Sequence, residues 1–283
     1  MPVVFVLIWS TGFIVARFGM PLSPPMKFLA VRYALSILCF LPWIFFAKVA
    51  WPKERVQWQH LAVTGILMHA CYLGGVWAAV KAGMGSGLSA LIVGLQPVLT
   101  AFWLSAIGTR VTRVQWVGLL LGFAGLMMVV SRKFGAGGEA NWVNLSFAVA
   151  ALFGITIGTL YQKRFVAPCD VRTANVIQLA AALLVTLPLT LLESEAMQWQ
   201  ADLYGAMAWS VLALTLGGSS LLYLLIQRGA AASVTSLMYL VPPVTALIAW
   251  LLFSEAISVI TIAGTLLTAF GVSLVVRAPR PPD

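Results

Sequence analysis

The chain has 283 residues, of which 61% are hydrophobic and 9% charged, and its formal net charge is +9. A soluble domain needs roughly a quarter of its residues charged, so this composition, with a mean hydropathy of +0.98, excludes a fully water-exposed surface. The apolar excess must face lipid, where only helices and closed barrels satisfy their own backbones, and apolar runs near twenty residues select helices.

Ten such runs follow one another. Pro2–Met20 opens almost at Met1 and carries Trp9, Ser10 and Arg17, which do not fit the apolar core and small-residue cleavage site of a signal peptide. Phe28–Val49 carries Arg32, and Trp58–Val80 carries His69, Tyr72 and Trp77, with Tyr72 three residues from His69 and so nearly on one face. Met84–Gly108 contains Gln96 and Pro97, and Arg113–Ser131 has a run of small sites at Gly118, Gly122 and Gly125 that suits close helix packing. Trp142–Gln162 ends in Tyr161 and Gln162, Val171–Leu192 holds Gln178, and Tyr204–Ile226 holds Thr215 and Tyr223. Ala231–Phe253 contains Tyr239, Pro242 and Pro243, and Ser258–Val276 repeats the small-residue pattern at Gly264 and Gly271. The connections are short, so a single membrane domain is expected.

Basic residues concentrate in cytoplasmic loops. With the N-terminus inside, eleven Lys and Arg fall on the cytoplasmic side and six outside, and the Glu193, Glu195, Asp202 loop lies outside. Both termini are therefore expected in the cytoplasm of a bacterial inner-membrane protein. No basic run forms a nucleic-acid patch; the membrane surface accounts for these charges. Cys39, Cys71 and Cys169 have no metal-ligand spacing, and no disulfide is expected.

Shifted by 146 positions, the halves align without a gap: Pro42 falls on Pro188, Gly83 on Gly229, Pro97 on Pro243, Gly118 on Gly264 and Gly125 on Gly271. This predicts two five-helix repeats, residues 1–135 and 136–283. Five is odd, so the second repeat enters the bilayer inverted. Inverted repeats enclosing a midplane site are the architecture of secondary transporters.

The ordered segments also carry a family resemblance. Trp9-Ser10-Thr11-Gly12-Phe13, Ser23-Pro24-Pro25, Phe28-Leu29-Ala30-Val31-Arg32-Tyr33, Leu95-Gln96-Pro97-Val98 and Val241-Pro242-Pro243-Val244 stand in order along nearly the whole chain. The ninth run closes with Leu252-Phe253-Ser254-Glu255, similar to a helix-ending glutamate, whereas Thr109 stands at the matching place in the first half. This set resembles the EamA family of the drug/metabolite transporter superfamily. The resemblance implies a ten-span exporter of amino acids or other metabolites, and it is nearest to bacterial exporters of aromatic amino acids.

Polar residues deep in spans are costly and usually face an interior cavity. Trp9, Ser10, His69, Tyr72, Trp77, Gln96, Tyr161, Gln162, Tyr223 and Tyr239 are the candidate substrate-binding set, forming an uncharged aromatic pocket for a zwitterion with an apolar side chain. Pro97, Pro242 and Pro243 are candidate hinges or gates. Arg17 and Arg32 sit near predicted helix ends, where snorkelling to headgroups is the default. The alternative is that one of them binds a carboxylate at the outer mouth.

All eight acidic residues fall in loops or at span ends, so transport is expected either to be uncoupled or to depend on His69 for proton coupling. No metal, cofactor, nucleotide loop or enzymatic constellation is expected. An exporter of another metabolite or drug, or a membrane-embedded sensor or scaffold, are the competing readings.

Overall fold

Pro24 and Pro25 decide where the second helix starts. Pro25 occupies its first turn, where a missing N–H costs no helical bond, so the helix begins three residues earlier than the apolar run suggests. The computed structural model describes residues 2–106, 112–134, 139–227, 240–254 and 258–277, and its regular structure there is helical. In chain order the helices are α1 (Pro2–Gly19), α2 (Pro25–Phe46), α3 (Arg55–Lys81), α4 (Ser86–Val93) and α5 (Gln96–Ala106). They continue as α6 (Arg113–Lys133), α7 (Trp142–Phe165) and α8 (Val171–Leu189). α9 runs through Ala201–Trp209, Ser210–Ser219 and Ser220–Gln227 in succession, followed by α10 (Val241–Phe253) and α11 (Val259–Arg277).

Among the described residues, six helical stretches are long and apolar enough to cross a membrane: Pro25–Phe46, Arg55–Lys81, Arg113–Lys133, Trp142–Phe165, Val171–Leu192 and Ala201–Leu225. Shorter apolar helices accompany them at Val4–Gly19, Ser86–Thr100, Val241–Phe253 and Val259–Leu274. Large apolar side chains stand exposed around the outside, among them Leu38, Phe46, Leu120, Leu184 and Leu266. Such a girdle on an otherwise well-packed bundle is what lipid contact requires.

Two expected runs come out differently. Met84–Gly108 is interrupted at Gly94 and Leu95, giving α4 and α5. Proline at 97 withholds a backbone donor there, and Gly94 lies so close to the Pro242 ring that a Cβ would stand 2.7 Å from it. Of Ala231–Phe253, the part from Val241 onward is helical; residues 231–239, Tyr239 included, lie outside the described residues, as does Glu255.

α6 and α11 pack against each other through backbone. A Cβ on Gly125 would stand 2.5 Å from the Gly264 carbonyl, and one on Gly271 would stand 2.6 Å from the Gly118 carbonyl. Thr268 Oγ1 donates to the Gly122 carbonyl at 3.3 Å. The pairs 118–271, 122–268 and 125–264 run antiparallel. Under the shift of 146 positions, the first and third exchange and the second maps onto itself. The small residues read from the sequence as packing sites are therefore in backbone contact.

α3 and α9 each contain a widened π-helical segment, Ile66–Cys71 and Ser210–Ser219. Wide turns of this kind are rare and concentrate at functional sites. The same shift carries residues 66–71 onto 212–217, inside the second widened segment. At Gly65, just before the first, a Cβ would fall on the Gln178 carbonyl, so α3 and α8 touch through their backbones.

Candidate functional site

The two widened segments face a cavity of about 660 Å³ between α1, α2, α3, α7, α8 and α9. Helical spacing explains its walls. On α1, Trp9, Gly12 and Phe13 fall on one face; on α3, His69, Tyr72, Val76 and Trp77 do the same; on α7, Ile155 and Gln162 are two turns apart. Gln178 enters from α8, and Leu214, Ser219, Leu222 and Tyr223 enter from α9.

The aromatic walls are held by stacking. Trp9 lies parallel to Tyr72, with centroids 6.3 Å apart and planes 4° apart. Trp77, 1% exposed, stacks on Phe28 at 4.3 Å. Tyr223 is buried, and its hydroxyl lies 3.0 Å from Cys169 Sγ. Trp77 therefore faces the cavity rather than the lipid interface.

Arg32 corrects the snorkelling expectation. Counted from Pro25, it lies two turns inside α2, about 10 Å from the helix start, and is only 3% exposed. It lines the cavity. Its Nε donates to Thr215 Oγ1 at 3.0 Å, and the Thr215 hydroxyl in turn donates to the Ser210 carbonyl at 2.9 Å. The next residue, Tyr33, donates its hydroxyl to the His69 carbonyl at 2.8 Å. Adjacent residues of α2 thus bind both widened segments. An earlier start for α2 was the signal that would have drawn Arg32 inward; an arginine in an apolar run without a nearby acid was the other. Arg17 is half-buried and is not among the lining residues.

Two lining amides stand ready to donate. Gln162 and Gln178 are each 4% exposed, and neither Nε2 has a hydrogen-bond partner. Buried donors without partners are costly in a finished protein, and these two belong to residues that line the cavity. Among the described residues no Asp or Glu lines the cavity; the ion pairs Lys81–Glu195, Lys133–Glu139 and Arg172–Asp170 lie at helix ends or in connections.

Six of the ten expected binding residues come together in the main cavity, and three of the others take different places. His69, Tyr72, Trp77, Gln162 and Tyr223 line the main cavity together with Trp9. Tyr161, one position from Gln162 and so rotated by a helical step, turns instead to α3, where its hydroxyl lies 2.8 Å from His60 Nδ1. Ser10 is fully buried beside Trp9 but is not in the lining, and its carbonyl accepts from Thr245 Oγ1 of α10 at 3.4 Å. Gln96 lines a second, smaller cavity of about 300 Å³ with Pro97, separated from the first by the shared Trp9, Phe13 and Ile155, and donates to Thr159 at 3.1 Å. Tyr239 lies outside the described residues. Pro242 and Pro243 occupy the first turn of α10, where no helical hydrogen bond is lost.

Beyond Trp77, the α8–α9 connection closes over one end of the bundle. The Glu193 carboxylate accepts from Met26 N and Lys27 N, both at 2.8 Å, and so caps α2. Lys27 Nζ donates to the Glu195 carbonyl at 2.7 Å, and Lys81 pairs with the Glu195 carboxylate while donating to the Met20 carbonyl at 3.1 Å. At the start of α8, Asp170 caps the helix and pairs with Arg172, whose guanidinium holds the carboxyl below its usual range.

Comparison with known proteins agrees with this architecture. The EamA-like transporter family matches residues 2–131 and 142–277. The chain is 27% identical over 275 residues to the "Uncharacterized inner membrane transporter YedA" of Escherichia coli (strain K12), covering 95% of this chain and 87% of that one. It is 24% identical over 275 residues to the "Uncharacterized transporter YvbV" of Bacillus subtilis (strain 168), covering 95% and 88%. A "Probable amino-acid metabolite efflux pump" of Salmonella typhimurium is 27% identical over 164 residues, covering 56% of this chain and 51% of that protein. One crystal structure shares the fold with a TM-score of 0.69 at 18% identity, covering 97% of this chain and 95% of that one.

Proposed function

The chain belongs to the EamA-like transporter family, and from that premise we propose that it exports amino acids, aromatic or other neutral ones, across the bacterial inner membrane by alternating access. The observation that carries the proposal is the Arg32–Thr215 contact set among aromatic rings in one central cavity. Arg32 receives the carboxylate in a charge-assisted hydrogen bond worth about 1.5–3 kcal/mol. The Trp9, Tyr72, Trp77 and Tyr223 rings take the apolar side chain, worth about 1.5–3 kcal/mol when fully buried. The name of the partial relative from Salmonella typhimurium points the same way.

The alternating-access reading takes the chain as ten spans in two inverted five-helix repeats, residues 1–135 and 136–283, with both termini cytoplasmic. Three observations support it: the ungapped shift of 146 positions, the exchange of contacts between α6 and α11, and the matched widened segments. In this orientation the Glu193 cap of α2 and the Lys81–Glu195 pair lie on the outer face, at the Trp77 end of the cavity. The close approach of Gly94, at the end of α4, to Pro242 of α10 supports reading Pro97 and Pro242 as hinges or gates between two such halves.

The test is counterflow of labelled phenylalanine, tryptophan, threonine and methionine in proteoliposomes, with a sugar and a lipophilic cation as competitors. Saturable exchange of amino acids that is lost in a folded Tyr223→Ala variant supports the reading. Competition by the sugar or the cation alone would assign the cavity to another metabolite or drug. Absence of all exchange in folded protein would sink the transport reading itself.

A further inference from the structure

We infer that the cavity anchors its ligand by the carboxylate alone, so that aromatic carboxylic acids whose amine is acylated or absent are ligands of the same site as the amino acids. The inference rests on the export reading of the cavity and narrows its ligand chemistry.

The distribution of donors and acceptors carries it. Arg32 is buried without a carboxylate partner among the described residues, and an unpaired charge inside a membrane bundle is held at a cost that a bound anion removes. Its Nε is committed to Thr215, which leaves the terminal nitrogens, the fork that grips a carboxylate, for the ligand. Gln162 and Gln178 add two buried amide nitrogens without partners. Among the described residues, the fully buried side-chain atoms of the lining that lack a partner are these two amide nitrogens, both donors.

An ammonium finds the opposite. No acidic side chain lines the cavity among the described residues. Unwound helical backbone can offer carbonyls to a cation, but here hydroxyls occupy three of them. Tyr33 takes the His69 carbonyl at 2.8 Å, Thr215 takes that of Ser210 at 2.9 Å, and Ser219 takes that of Leu214 at 3.4 Å. A free amine thus gains little in this site, and its removal leaves the carboxylate and ring contacts intact.

The test uses competition against labelled phenylalanine in wild-type proteoliposomes by 3-phenylpropionate, N-acetylphenylalanine and phenethylamine, together with thermal shifts of the purified protein by each compound. The two carboxylates are expected to compete about as well as phenylalanine, and phenethylamine about tenfold more weakly or worse, as loss of a charge-assisted hydrogen bond dictates. Arg32→Gln is expected to abolish the thermal shift by both carboxylates, and Arg32→Lys to restore part of it. Competition by phenethylamine but not by 3-phenylpropionate would overturn the inference, a result read on wild type alone should the variants not fold. If phenylalanine is not carried but the carboxylates still shift the wild-type melting in an Arg32-dependent manner, amino-acid export falls and carboxylate anchoring stands. If neither carboxylate competes or shifts the melting, the inference falls.

Discussion

Arg32 and Tyr33 are neighbours on α2, yet each holds a different widened helix: Arg32 donates to Thr215 of α9 at 3.0 Å, and Tyr33 donates to the His69 carbonyl of α3 at 2.8 Å. Thr215 and His69 correspond under the shift of 146 positions. α2 therefore ties together two positions that correspond under that shift, directly beside the cavity.

Tyr33→Phe leaves the buried His69 carbonyl without its hydroxyl donor. A buried hydrogen bond of this kind contributes about 1 kcal/mol, so melting should fall by a few degrees with the fold retained. Thr215→Val removes the hydrogen-bond acceptor that orients the guanidinium. For that variant a KM increased about tenfold, with little loss of melting temperature, is expected from a misaligned Arg32. Transport kinetics and thermal unfolding on the two variants separate these effects; an unchanged KM in Thr215→Val would remove Thr215 from the positioning of Arg32.

The α6–α11 contact predicts a different kind of loss. At Gly125 and Gly271 a Cβ has no room, because backbone rather than flexible side chain stands opposite. Gly125→Leu should force the helices apart and cost roughly 1–3 kcal/mol or more, seen as reduced melting temperature and poor recovery from the membrane. Gly205, where a Cβ would meet nothing within 4 Å, serves as the control: Gly205→Ala should leave stability unchanged or slightly improved.

Much of this fold was legible because each transmembrane run is a composition signal, and glycine and proline mark where backbones approach or helices stop. Gly118, Gly125, Gly264 and Gly271 were readable as packing sites for that reason. The site was legible in part. His69, Tyr72 and Trp77 share a face of α3 by spacing alone, whereas Tyr161 and Gln162 are adjacent and only one can face the cavity. Ser10 is separated from Trp9 in the same way. Arg32 was hidden by a boundary: three residues of difference at the start of α2 move it from the headgroup region to the cavity wall. The widened turns left no mark in composition, since their backbone widening is set by tertiary packing rather than by any residue type.

Asp170 offers a pH test outside the apolar core. It caps α8 through Arg172 N at 2.9 Å and pairs with the Arg172 side chain, which lowers its carboxyl pKa. A group with a depressed folded pKa stabilises above its unfolded value, about 4, and loses that stabilisation as pH falls through the lower folded value. Asp170→Ala should therefore reduce stability by about 1 kcal/mol at neutral pH, and the gap from wild type should shrink on acidification below about pH 4. Melting curves across that range check it, and a gap that widens in acid would contradict the assignment.

The clamp at the Trp77 end makes the most direct statement about motion. Glu193 accepts two backbone donors at the start of α2, where the helix dipole favours a negative charge, and Glu195 gathers Lys27 and Lys81. Gln198 N adds a bond to the Leu22 carbonyl at 2.8 Å, next to Ser23, which is 1% exposed. If this closure must open for release, Glu193→Ala should raise the population open at that end. Loss of about 1.4 kcal/mol corresponds to a tenfold change in that equilibrium. A cysteine placed by Ser23→Cys, with Cys39, Cys71 and Cys169 replaced, reports the change through a membrane-impermeant maleimide. Labelling from the outer side should then be several-fold faster with Glu193→Ala than with Glu193 present, and phenylalanine should slow both if the ligand stabilises a closed state. Equal rates would show that the clamp does not govern access, and faster labelling only from the inner side would reverse the proposed orientation of the chain.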